Sequence, residues 1–178
     1  MKKMFAMLLA LAMMFSLVAC GGKTTEPTTP ATEATKPALE GTLEEILNKV
    51  IEQKPVEFMG AAMPVDLVDP DAVKYMTGLD STDGITEAAV FEPMMGSIAF
   101  SMIMVRVAEG TDPRMIAEAM SKGIDTRKWI CVEADDLMTA TYGDVAMLIM
   151  VDSTNGMDAQ SFVDAFQSVC GADLDSAG

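Results

Sequence analysis

An α+β fold is predicted, with a mostly antiparallel sheet of about four to five strands and helices packed on one face. Three features of this 178-residue sequence predict it. Two amphipathic helical segments come first. From residue 85 the apolar period changes from that of a helix to that of a strand. Two apolar runs then flank Tyr142-Gly143, as in a hairpin. Half of the residues are hydrophobic, enough for one domain with a real core.

The domain is predicted over residues 41–178. Thr42-Leu43-Glu44-Glu45 is a capping-box pattern, and Leu43, Ile46, Leu47, Val50 and Ile51 then share one helical face. Pro55 stops that helix. Asp69 as N-cap, Pro70 in the first turn and Gly78 as stop signal frame a second helix ending at Thr77. Residues 85–92 and 97–107 read as strands. The second stays apolar until Arg106, which predicts a central strand covered on both faces. Asp112-Pro113 opens a helix to about Lys122 with Met115, Ile116, Ala119 and Met120 on one side. Residues 129–132 read as a short strand, and 137–141 and 144–151 as the hairpin. Residues 157–169 form the last helix, with Phe162, Val163, Phe166 and Val169 inward.

Residues 1–19 are a predicted signal peptide: Lys2 and Lys3, then an uncharged apolar run ending in small residues. Leu17-Val18-Ala19-Cys20 resembles the lipobox of bacterial lipoproteins, which implies lipidation of Cys20 after cleavage. Two acyl chains at ~0.8 kcal/mol per buried methylene make a stable anchor. The expected location is the outer face of the cell membrane, with the membrane itself as first partner. Residues 20–40 form a tether rich in Thr and Pro, its only large aliphatic residue being Leu39. Extended, it reaches about 60 Å at ~3.1 Å per residue.

Charge and composition exclude several function classes. Twelve Lys and Arg face 27 Asp and Glu, a net charge of −15. Such a surface does not neutralise phosphates, so nucleic acid is not an expected partner. The chain has no histidine, which removes imidazole catalysis and every His-based metal site. Asp80–Gly84 and Asp152–Gly156 look like calcium loops. However, their glycines fall at position 5 and their twelfth residues are Phe91 and Val163, so both read as turns. Glu133, Asp135 and Asp136 read as a solvated acidic bend. No catalytic residue, cofactor or metal site is assigned.

Two further sets are candidates. With Cys20 lipidated, Cys131 and Cys170 form a candidate disulfide, with two free thiols as the alternative. Methionine is abundant, with 13 of 18 beyond Cys20. Met102, Met104, Met147 and Met150 lie in predicted strands and fit core filling. Met59, Met63, Met94 and Met95, with Phe58 and Phe91 as aromatic partners, form a candidate binding patch.

The lipobox, the Thr/Pro tether, Ala62-Met63-Pro64, Thr77-Gly78-Leu79-Asp80, the segment Asp125-Thr126-Arg127-Lys128-Trp129-Ile130-Cys131-Val132 and Tyr142-Gly143-Asp144 together carry a resemblance. Over about residues 42–170 the chain resembles a family of small lipoproteins of Gram-positive gut bacteria whose domain has no assigned function. The resemblance implies a Gram-positive surface location and transfers no catalytic residue. The expected function is a membrane-anchored extracytoplasmic module for non-catalytic interaction or ligand binding, its target an envelope protein, a peptide or a small ligand. The alternatives are a solute-binding accessory of a transport system and a carboxylate-based enzyme.

Overall fold

The computed structural model describes residues 36–178. The signal peptide, Cys20 and the tether up to residue 35 lie outside them. Helix α1 is Leu43–Gln53, and its capping box is formed: Thr42 Oγ1 accepts from the Glu45 amide, and Glu45 Oε2 accepts from the Thr42 amide, both at 3.3 Å. Helix α2 is Pro70–Thr77, capped by Asp69, whose carboxylate accepts from the amides of Asp71 and Ala72. Gly78 ends it in the left-handed region at φ 80°. A side chain at Gly78 would also collide with the Ile124 backbone at 2.4 Å, so glycine lets the ends of α2 and α3 (Pro113–Gly123) meet. Helix α4 is Ala159–Cys170.

Among the described residues six strands make one antiparallel sheet. They are β1 (Gly60–Pro64), β2 (Ile85–Pro93), β3 (Phe100–Val107), β4 (Asp136–Tyr142), β5 (Val145–Val151) and β6 (Ser176–Ala177), in spatial order β1-β2-β3-β5-β4-β6. The α+β class, the antiparallel sheet and the central place of β3 agree with the sequence. The count exceeds the expected four to five because two short edge strands join. Gly-Ala-Ala-Met-Pro has poor β propensity, yet β1 is held by its ladder to β2 from Gly60↔Pro93 to Pro64↔Ala89.

The helices cover both faces, which corrects the single covered face. Strands β3 and β5 are buried almost throughout. A sheet apolar at consecutive positions needs cover on each side. Met102, Met104, Met147 and Ile149 turn to the first core, against α1 and α4. Ile103, Val105, Leu148 and Met150 turn to the second, against α2 and α3. Phe100 centres the first core: its ring lies 5.1 Å from Phe58, 5.1 Å from Phe162 and 6.1 Å from Phe91, all edge-on. Truncating such a ring to alanine costs about 3–5 kcal/mol.

Residues 129–132 are a loop, not a strand. Trp129 and Val132 pack toward the second core while Ile130 is exposed, and Cys131 adopts φ 66°. That left-handed backbone breaks the extended run an apolar tetrapeptide suggests.

Candidate functional site

Several of the large exposed apolar side chains gather at one corner of the sheet, while others, such as Val68 and Met115, stand elsewhere. Met59 and Met94 are 77% and 71% exposed, and the Met94 amide donates to the Met59 carbonyl at 2.9 Å. Met95 follows, and the Ile130 amide donates to the carbonyl of Gly96, so the 129–132 loop comes alongside. Ile130 is exposed as well. Alternation places Met59, Ala61 and Met63 on the sheet face shared by Glu92, which is the α2/α3 side.

Beneath this corner lies a buried polar triad. Lys128 Nζ, with a side chain 1% exposed, meets Glu92 Oε1 at 2.5 Å and the Ser101 hydroxyl at 3.1 Å. Ser101 donates to Glu92 Oε1 at 2.7 Å and is itself fully buried. The ammonium lies 5.4 Å from the Tyr75 ring centre and 5.5 Å from that of Trp129. Burial lowers the Lys128 pKa against the opposing pull of Glu92. Burial, then the charges of Glu92 and Asp125, raises the Tyr75 phenol. A hydroxyl beside a lysine is the composition of a serine–lysine nucleophile. Here the hydroxyl is spent on Glu92 and sealed from solvent, so the triad binds the 124–132 loop to β2 and β3.

A second polar cluster sits on the opposite face. Arg106 on β3 bonds Glu87 Oε2 at 2.9 Å and Asp144 Oδ2 at 2.7 Å. Its remaining donors reach the carbonyls of Leu39 at 2.8 Å and Gly41 at 2.7 Å. The same two carboxylates accept the amides of Leu43 and Leu39. Burial opposes the charge, but the bonds to Asp144 and Glu87 outweigh it and raise the Arg106 pKa. Lys36 adds an ion pair to Asp175 at 3.1 Å and lies over the Tyr142 ring. Residues 36–40, assigned to the tether by composition, are thus fastened along the domain.

The predicted site residues separate. Met59, Met63, Met94 and Met95 are exposed as expected. Phe91 is not their surface partner. It alternates with Val90 and Glu92 and so points into the first core at 4% exposure. Its ring fills the space where a side chain at Gly60 would stand, 2.5 Å away. Phe58 is half-buried against Phe100. Cys131 and Cys170 are free thiols, which corrects the candidate disulfide. Cys170 packs on the first core, whereas Cys131 lies between two residues that pack on the second, with the sheet between them. Burial pushes the Cys170 thiol up to about 12.

The acidic segments are structural. Asp152 bonds the Thr154 amide and hydroxyl and the Asn155 side chain. Asp135 holds Ser153 through its amide and hydroxyl, which lowers its carboxyl pKa. Asp136 accepts the Ala159 amide at the start of α4, and Glu133 pairs with Arg127. Each of these carboxylates thus has a hydrogen-bond or ion-pair partner. Among the described residues no group of three or more His, Cys, Asp or Glu side chains is placed to hold a metal ion.

The triad and the Arg106 cluster escaped sequence reading because their members lie far apart in the chain. The available signal was a serine and an arginine inside the apolar run of β3. Two surface depressions, of about 460 and 360 Å³, are open to solvent. One lies at the end of α4 and the other between residues 37–40, α1 and Tyr142, both away from the methionine corner. Compared with protein-family models, curated proteins and solved structures, the chain matches none.

Proposed function

We propose that this chain is a lipid-anchored extracytoplasmic lipoprotein whose domain is a non-catalytic interaction module. The methionine corner is its contact surface. The observation that carries this reading is the gathering of Met59, Met94, Met95 and Ile130 in the open, on a sheet whose other apolar side chains are mostly buried. Methionine is flexible and polarisable, and it suits a surface that accommodates a partner. Lys128 and Ser101 are enclosed and tie the 124–132 loop to the sheet, which favours binding over turnover. Anchoring rests on the lipobox-like segment ending at Cys20 and on the resemblance to Gram-positive lipoproteins.

Photo-cross-linking on intact cells tests the module. A cross-linking residue at Met94 or Ile130 is expected to trap one discrete adduct, and one at exposed Met115 on α3 none. Equal trapping at all three positions removes the reading. Incorporation of an alkynyl fatty acid, lost in Cys20→Ala, tests the anchor separately.

A further inference from the structure

We infer that the open edge of β1 receives an extended, basic peptide segment, which adds to the sheet as a seventh strand beside the methionine corner. The inference rests on the interaction-module reading and names its occupant.

The edge is available. β1 is the terminal strand of the sheet, with β2 on one side and no strand among the described residues on the other. The Met59 carbonyl and the Val65 amide turn toward β2, where they bond Met94 and Ala88. With a period of two, Ala61 and Met63 also face β2. Gly60, Ala62 and Pro64 therefore present their backbone groups outward. Open edges are usually blunted by lysines, proline, short length, bulges or a covering segment. This one is five residues long and ends in Pro64, with no charge, bulge or covering strand among the described residues, and Ala61, Met63 and Pro64 are exposed. A strand laid alongside would find the amides and carbonyls of Gly60 and Ala62, while its side chains rest beside Met59 and Met63.

Charge selects the occupant. Glu57 and Asp66 are exposed before and after the strand. From residue 55 to residue 73 the chain has four carboxylates, Glu57, Asp66, Asp69 and Asp71, and no lysine or arginine. A basic segment is drawn to that edge. A second copy is not: antiparallel self-pairing about Ala62 brings Glu57 of one copy beside Asp66 of the other, between chains that each carry −15.

The test uses the full-length chain in neutral detergent micelles and three fluorescein-labelled ten-residue peptides. One alternates Lys and Val, one alternates Glu and Val, and one is the Lys–Val peptide N-methylated at every residue, which blocks both of its edges. Anisotropy is expected to show binding of the Lys–Val peptide. Affinity falls at least tenfold with the N-methylated peptide, which keeps the charge and loses the ladder. The Glu–Val peptide does not bind. The Lys–Val peptide is also expected to slow amide exchange at Gly60 and Ala62 at least tenfold. Ala62→Pro removes an amide that β2 does not use, at a site equivalent to Pro64, and is expected to weaken binding at least tenfold. The double variant Glu57→Gln, Asp66→Asn lowers both affinity and its salt dependence.

Equal binding of the N-methylated peptide overturns strand addition. So does unchanged affinity in Ala62→Pro, or failure of the Lys–Val peptide to bind. In each of those cases the cross-links at Met94 and Ile130 still decide the module reading by themselves. Concentration-dependent protection of Gly60 and Ala62 without peptide overturns the basic occupant in favour of a second copy.

Discussion

Each face of the sheet carries one desolvated cation, and the two are held in opposite ways. On the α1/α4 face Arg106 spreads its charge over two carboxylates and two backbone carbonyls. On the α2/α3 face Lys128 bonds one carboxylate and one hydroxyl, with the rings of Tyr75 and Trp129 beside it and the charge of Asp125 farther off. The bonds raise the pKa of the arginine, whereas burial lowers that of the lysine. The difference follows from acceptor number. A planar guanidinium satisfies several partners at once, while a compact ammonium loses a hydration shell that two oxygens only partly replace. One face therefore uses its cation to recruit peripheral chain, and the other uses its cation to seal a loop.

The largest effect that would break this contrast is at the sealed site. Lys128→Met leaves Glu92 charged without its cation and the Ser101 oxygen without its donor, and is expected to cost about 3–5 kcal/mol in urea unfolding. The triple variant Lys128→Met, Glu92→Leu, Ser101→Ala removes every unmatched polar group together. It is expected to recover most of that loss, because apolar replacement of a whole buried pair is often neutral. A triple variant no better than the single one refutes the account of the site.

Arg106→Lys comes next. It keeps a positive charge and gives up the fork, so the carbonyls of Leu39 and Gly41 lose their donors. A stability loss of about 1–2 kcal/mol is expected, with faster limited proteolysis between residues 36 and 41. Unchanged cleavage there would mean that the segment is held by something other than the guanidinium.

A smaller effect lies at high pH. The folded chain binds the Lys128 proton less tightly than the unfolded chain does. Between the lowered value and the ordinary 10.5 the unfolded state therefore holds more protons, and this group makes stability rise with pH. Lys128→Met is expected to remove that rise in urea titrations from pH 8 to pH 10. The same slope in both proteins excludes Lys128 as its source.

The thiols divide between the faces of the sheet. Reductant is expected to leave the melting temperature unchanged, because Cys131 and Cys170 are free. With its pKa pushed up to about 12, roughly one Cys170 in 10⁴ is ionised at pH 8. Iodoacetamide is therefore expected to label exposed Cys131 first, as read by peptide mass. A drop in melting temperature on reduction would restore the bridge.

What the sequence made legible was local. The Thr42–Glu45 box, Asp69-Pro70 and Gly78 mark helix ends through contacts within four residues, and each is found where its pattern stands. The central strands were legible because β3 and β5 are apolar at consecutive positions. That same feature already implied cover on both faces, which the expectation of one helical layer did not follow through. Strand β1 was illegible because Gly60, Ala61 and Pro64 become a strand only by pairing with β2. At residues 129–132 an apolar run passed for a strand, whereas a left-handed Cys131 turns it into a loop. The methionine corner was legible in Met59, Met63, Met94 and Met95. Ile130 was not, because it joins them through Gly96, 34 positions away in the numbering. Lys128, Glu92 and Ser101 likewise meet only through the fold.

The seam at Arg106 also fixes where a pull would be felt. Tension entering at Lys36 runs along residues 37–41 and reaches the carbonyls that Arg106 holds. Arg106 belongs to β3, which is bonded along both sides to β2 and β5. Drag on the domain is thus delivered to the middle of the sheet, where many hydrogen bonds share it, instead of peeling α1 away turn by turn. The Lys36–Asp175 pair and the bonds of the seam lie outside both cores, so their release would add a few residues of slack without opening either core.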